Sequence, residues 1–229
     1  TGIATELMHS EAYLSSPDFS PDGRWLAYTA DYAHERIQLE VLDTHTGEIH
    51  ALTDDDAVYT DPVFSPDGSK LAYVSTHPNG YFNLFVRGFA AGGWQGDAVA
   101  VSKDNDFGRS RLYFGRWDMH IAPAWLPNGS ELLLVSNRDI PLGSGNVLRV
   151  PAVENGIAQA RTVLAEQSLY RTRPDVSLDG KRFVYSSTAG SASAEKSLTD
   201  TICASGKIDK TDFTCGSSKA AAWRCSASD

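Results

Sequence analysis

Apolar residues in this chain fall in short runs, each closed by a cluster of turn residues. No segment carries a convincing helical period. Trp25-Leu26-Ala27-Tyr28 and Leu71-Ala72-Tyr73-Val74 are unbroken apolar runs that follow Pro-Asp-Gly. Proline sets φ for a tight turn and glycine takes the positive φ. Short β-rich, aromatic runs between such turns predict buried strands joined by hairpins.

The pattern repeats. Pro17-Asp18-Phe19-Ser20-Pro21-Asp22-Gly23 recurs as Pro62-Val63-Phe64-Ser65-Pro66-Asp67-Gly68. Weaker copies are Pro123-Ala124-Trp125-Leu126-Pro127-Asn128-Gly129 and Pro174-Asp175-Val176-Ser177-Leu178-Asp179-Gly180. The turn glycines are 45, 61 and 51 residues apart. After the second strand of the first copy come a third strand at Ile37 to Asp43, a turn at Thr44 to Gly47, and a fourth strand near Ile49 to Thr53. Four strands in about 45 residues is the arithmetic of a β-propeller blade. The expected class is all-β: four-stranded antiparallel blades, about four per chain, forming an incomplete ring.

Whole blades are expected over 15–54, 60–102 and 122–165, with a partial blade over 173–187, inside a propeller region of 1–190. Shifted by 45, Thr1-Gly2 lies on Thr46-Gly47, Leu7 on Leu52 and Ala12 on Ala57, so residues 1–9 read as the outer strand of a preceding blade. Residues 191–229 depart from the repeat, rich in Ser and Ala and holding every cysteine (Cys203, Cys215, Cys225). Two readings stay open for them: a non-family extension, or the source of the fourth blade's missing third strand. The chain begins at Thr1, which fits a removed leader or a fragment of something longer.

The Phe-Ser-Pro-Asp-Gly-x-x-Leu-Ala-Tyr repeat resembles the TolB-like, WD40-like (PD40) propellers, in particular the propeller preceding the catalytic domain of some bacterial amidohydrolases. The resemblance spans about residues 1–190. It implies a propeller, and by analogy a bacterial periplasmic or secreted setting. The His-x-His metal motif of amidohydrolases is absent, so that chemistry does not carry over.

Composition narrows the partners. The 29 acidic residues outnumber the 20 basic ones, for a net charge of −9. Nucleic acid and an anionic membrane surface both want the opposite balance, so neither is expected. The first 202 residues contain no cysteine, which excludes a disulfide scaffold or a cysteine zinc site in the blades.

An unclosed propeller leaves open sheet edges. Strand 1–9 either completes the chain's own fourth blade or completes that of another copy. Strand exchange between two chains, giving a homodimeric ring, is the expected route.

The prolines that open each inner strand place Asp18, Asp61, His120 and Asp175 toward the channel, beside Arg171 and Arg173. Three carboxylates and an imidazole suit a divalent cation, Ca²⁺ in first place, with Zn²⁺ or Mn²⁺ through His120. The competing reading is turn caps and ion pairs. The stretch between Lys103 and Ile121 is an insertion holding Arg109, Arg116, Trp117 and Asp118. Arginine with aromatics suits a small ester or phosphoester. On this basis His120 and Asp118 are the candidate catalytic pair, and Arg109, Arg116, Trp117 and Arg173 the candidate substrate contacts. The corresponding function is a metal-dependent hydrolase of esters, lactones or phosphotriesters. The alternatives are a non-catalytic module binding protein, peptide or sugar, and a truncated amidohydrolase propeller without native activity.

Overall fold

The computed structural model describes residues 6–33, 35–103, 120–137, 146–165, 169–189 and 202–207. They form four antiparallel sheets in chain order. Blade 1 is β1 (Tyr13–Phe19), β2 (Trp25–Tyr32), β3 (Arg36–Asp43) and β4 (Ile49–Ala51); blade 2 is β5 (Tyr59–Phe64), β6 (Lys70–Ser75), β7 (Asn83–Ala90) and β8 (Gly93–Ala100). Blade 3 is β9 (His120–Trp125), β10 (Glu131–Ser136), β11 (Asn146–Pro151) and β12 (Arg161–Leu164), with one turn of 3₁₀ helix at Gly156–Gln159. Blade 4 has three strands among the described residues: β13 (Leu169–Val176), β14 (Arg182–Ala189) and β15 (Ile202–Lys207).

The Ser-Pro-Asp-Gly turns explain why each blade starts as it does. Gly23 donates to the Ser20 carbonyl, and the Ser20 hydroxyl donates to Asp22 Oδ1 at 2.6 Å. The same bonds recur at Ser65-Asp67-Gly68 and Ser177-Asp179-Gly180. Three donors on its oxygens, the Ser65 hydroxyl foremost, bring the Asp67 carboxyl down to about 2. Gly23, Gly68, Gly129 and Gly180 all adopt positive φ.

Side chains on a strand alternate between faces, and here both faces are buried. On β6, Leu71 and Tyr73 pack back on Trp25, Ala27, Leu39 and Val41 of blade 1. Ala72 and Val74 pack forward on Leu132, Leu134, Leu148 and Val150 of blade 3. Leu133, Val135 and Val147 then pack on Phe183 and Tyr185 of blade 4. That is the physical meaning of the unbroken apolar runs. The inner strands β1, β5, β9 and β13 stand side by side around the channel.

The strands of the four sheets run over 13–51, 59–100, 120–164 and 169–207. Residues 6–9, the described part of the expected outer strand, belong to no sheet among the described residues. Within the C-terminal extension, β15 pairs antiparallel with β14 from Arg182↔Lys207 to Ser187↔Ile202, in the third-strand position of blade 4.

Candidate functional site at the channel wall

Each inner strand is kinked at the residue before its proline. Pairing slips between Ser15 and Asp18, between Thr60 and Val63, between Ile121 and Ala124, and between Thr172 and Asp175. Ser16, Asp61 and Ala122, one repeat position apart, take φ of 49°, 52° and 50°. A bulge re-aims side chains and interrupts the ladder. Here it frees backbone and side-chain groups to bond to the next blade.

Asp61 is the centre of that exchange. Its Oδ1 accepts the Ser16 hydroxyl of blade 1 at 2.7 Å, and its Oδ2 accepts the Ala122 N–H of blade 3 at 3.2 Å. One carboxylate joins three bulges. Asp18 Oδ2 accepts the Phe64 N–H of blade 2 at 2.7 Å. Burial raises the Asp18 carboxyl above its ordinary value; the Phe64 N–H opposes this, and the Asp175 carboxylate adds to it. Asp175 itself is exposed, and its Oδ1 accepts the Val176 N–H at 2.8 Å. Indole donors lock the junctions further: Trp125 Nε1 to the Val63 carbonyl at 3.1 Å, and Trp94 Nε1 to the Leu52 carbonyl at 2.6 Å.

Of the candidate ligands, Asp18, Asp61 and Asp175 lie on inner strands β1, β5 and β13. His120 opens β9 and pairs with Ser136, and Arg173 lies on β13; their side chains are outside the described residues. Arg109, Arg116, Trp117 and Asp118 fall wholly outside them. Among the described residues no three His, Cys, Asp or Glu side chains come together as a metal-binding group.

A second cluster occupies the loop face between blades 1 and 2. Tyr59 donates its hydroxyl to Asp55 Oδ2 at 2.9 Å, and His77 Nδ1 lies 3.7 Å from the same oxygen. Asp55 Oδ1 accepts the Ala57 N–H at 2.9 Å, so the middle residue of the Asp54-Asp55-Asp56 run caps the crossover into blade 2. Burial, then the Asp55 carboxylate, pushes the Tyr59 hydroxyl well above the usual tyrosine range. His34 lies outside the described residues. On the opposite face, Ser20, Pro21, Asp22, Trp25, Asp67, Gly68 and Phe89 line an open cleft of about 350 Å³ between the first two turns.

Sequence reasoning placed Asp18 and Asp61 toward the channel but missed their partners, Phe64 for Asp18 and Ser16 and Ala122 for Asp61. The available signal was register: Ser16, Asp61 and Ala122 each precede the repeat's opening proline.

No family model and no curated protein sequence matches the chain. Solved structures match its fold. TolB from Acinetobacter baumannii aligns at TM-score 0.57 and 17% identity over 85% of this chain and 40% of that one. A puromycin-hydrolyzing peptidase from Mycobacterium tuberculosis aligns at 0.60 and 13% over 96% and 31%. A chain of a nidogen/laminin complex aligns at 0.57 and 15% over 86% and 66%. The fold is a TolB-like β-propeller. The chain spans less than half the length of TolB or of the peptidase.

Proposed function

We propose that this chain is a self-associating propeller segment: a non-catalytic module whose ring is completed by a second copy and whose loop face and channel mouth bind a protein, peptide or sugar. The observation that carries it is the fourth sheet, which has three strands among the described residues where blades 1–3 each have four. Residues 1–9 of a second copy, equivalent by repeat to Thr46–Asp54, have the register to become its fourth strand. Closure removes the exposed edge that an open sheet presents to aggregation. The engagement of Asp18 and Asp61 in holding blades together supports an architectural role for the channel wall over a chemical one.

The test is solution mass by light scattering. Twice the 24.8 kDa chain mass is expected; a monodisperse monomer rejects self-association. A panel of esters, lactones and phosphotriesters is expected to show no turnover that a chelator removes.

The placement of three carboxylates on inner strands, Asp18 on β1, Asp61 on β5 and Asp175 on β13, favours a second reading, a divalent cation in the channel, which would offset the Asp175 charge that adds to the raised Asp18 carboxyl. His120 would add a nitrogen ligand and Asp61 a further oxygen. With Asp118 as base, such a centre would make the chain a hydrolase whose substrate lies against Arg109, Arg116, Trp117 and Arg173. Metal analysis after dialysis discriminates: stoichiometric Ca²⁺, Zn²⁺ or Mn²⁺ that His120→Ala or Asp175→Asn removes would favour this reading over the first.

A further inference from the structure

The Ser-Pro-Asp-Gly turn has one odd copy. In blades 1, 2 and 4 the aspartate before the glycine (Asp22, Asp67, Asp179) is held by the serine two residues ahead of it, whose hydroxyl donates to its Oδ1 at 2.6 Å. In blade 3 these two positions are Leu126 and Asn128. Leu126 is buried and has no hydroxyl to offer. Asn128 is exposed; its Oδ1 accepts the Ser130 N–H at 3.0 Å, and its Nδ2 donates to Glu131 Oε2 at 2.9 Å. The turn joining β9 to β10 thus carries a side-chain amide next to glycine, where the other three carry a pinned carboxylate.

Asparagine is a thermolabile residue, and a glycine after it presents a backbone nitrogen with no side chain in the way. The fold decides how readily the two react. The nitrogen must give up its hydrogen bond and the amide must swing onto it, so reaction follows local opening. Asn-Gly occurs at 79–80, 128–129 and 155–156. All three glycine N–H groups are bonded: Gly80 to the Thr76 carbonyl at 2.7 Å, Gly129 to Leu126 at 2.9 Å and Gly156 to Val153 at 2.9 Å. What ranks the three pairs is therefore their surroundings. Asn79 Oδ1 accepts the Tyr81 N–H at 3.2 Å and Asn83 Nδ2 at 3.3 Å, and Asn83 is buried and bonded to Ser102. Asn155 makes no side-chain capping bond, but Gly156 is buried so tightly that a Cβ would stand 2.0 Å from the Pro151 carbonyl oxygen. Beside it Ile157, 3% exposed, packs in the core between blades 2 and 3 and donates its N–H to the Val101 carbonyl. Opening there takes core apart. Opening at Gly129 breaks a turn bond at a hairpin tip, where Pro127, Asn128 and Ser130 are exposed and a Cβ on the glycine would meet only Pro66 Cδ, at 4.0 Å.

We propose that Asn128 is a self-modification site, deamidating in the folded protein ahead of Asn79 and Asn155. The Gly129 nitrogen, on losing its proton to solvent base, attacks Asn128 Cγ. The N–Cγ bond forms, the Cγ–Nδ2 bond breaks, and Nδ2 leaves as ammonia with a proton from water. Water then opens the five-membered imide at either carbonyl. One opening leaves aspartate at position 128, the residue type of the other three turns. The other leaves isoaspartate, which routes the main chain through Cβ and lengthens the turn that sets Trp125 against Leu132. Both put a carboxylate where the amide donated to Glu131 Oε2.

The test incubates the full chain at mildly alkaline pH, below its melting temperature, and follows the three Asn-Gly peptides by mass. The peptide spanning 128–129 is expected to show amide-to-acid conversion at least fivefold faster than the other two. In urea, where the fold no longer shields any of them, the three rates should converge. Asn128→Gln, an exposed change that lengthens the side chain past the five-membered ring, should lower ammonia release by the share assigned to this site. Earlier conversion at Asn79 or Asn155, equal rates in the folded chain, an unchanged ranking in urea, or undiminished ammonia from Asn128→Gln would each overturn the proposal.

Discussion

At the residue scale, the channel wall is held by carboxylates at bulges. Asp61 combines a left-handed φ, which Asp and Asn tolerate better than other side chains, with bonds to two neighbouring blades. Replacing it with Ala removes both acceptors and leaves the Ser16 hydroxyl and Ala122 N–H without this partner. Hydrogen bonds to charged groups contribute about 1.5–3 kcal/mol each at most. Partial exposure puts the loss for Asp61→Ala near 2 kcal/mol, which is roughly 4–8 °C in melting temperature for a domain of this size. Asp61→Asn keeps the backbone preference and one acceptor, so it should lose less than half as much by calorimetry. Asp18 titrates the other way. Its carboxyl is raised, chiefly by burial, so its folded pKa lies above its unfolded one. The stability tied to that group is fully present below the ordinary value of 3.8 and is lost as pH rises through the raised value. Asp18→Asn, which keeps an oxygen for the Phe64 N–H, should therefore melt a few degrees above the parent at pH 7. The gap should close as pH falls toward 4; a gap constant across pH would contradict burial as the cause.

At the scale of elements, strands and turns were legible because their cause is local. Pro-Asp-Gly sets a hairpin by φ alone, and the apolar run after it declares a strand covered on both faces. The spacing of the glycines then gives the sheets in order. What stayed illegible was anything joining residues in different repeats. Asp61 reads as a candidate ligand until Ser16 and Ala122, 45 and 61 residues away, are seen to meet it. The third strand of blade 4 stayed one of two open readings of the C-terminal extension, because residues 202–207 carry no repeat motif; their pairing with β14 puts a third strand there. The turns offer a direct check on the element-level account. Gly68→Ala forces a side chain into positive φ and against Pro21 at 3.3 Å, whereas Gly23→Ala meets the same φ penalty with nothing nearby. Urea midpoints should therefore fall for both, by about 1 kcal/mol for Gly23→Ala and by more for Gly68→Ala. Equal losses would mean that the proline–glycine contacts add nothing to the junctions.

At the scale of the whole molecule, the self-association reading turns on edge pairing of residues 1–9 of one copy with the fourth blade of another. Edge pairing supplies backbone hydrogen bonds and satisfies an open ladder. Deleting residues 1–9 takes this device away and spares Ala12, which packs on blade 1. If edge pairing sets the assembly, the shortened chain should run as a monomer at concentrations where the parent is dimeric, while its melting temperature stays within a few degrees of the parent monomer's. A shortened chain that stays dimeric would reject edge pairing as the means of assembly. The salt response is a second check. Apolar packing strengthens with sulfate through preferential exclusion, so a dimer held by backbone pairing should tighten in sulfate less than one held by apolar faces.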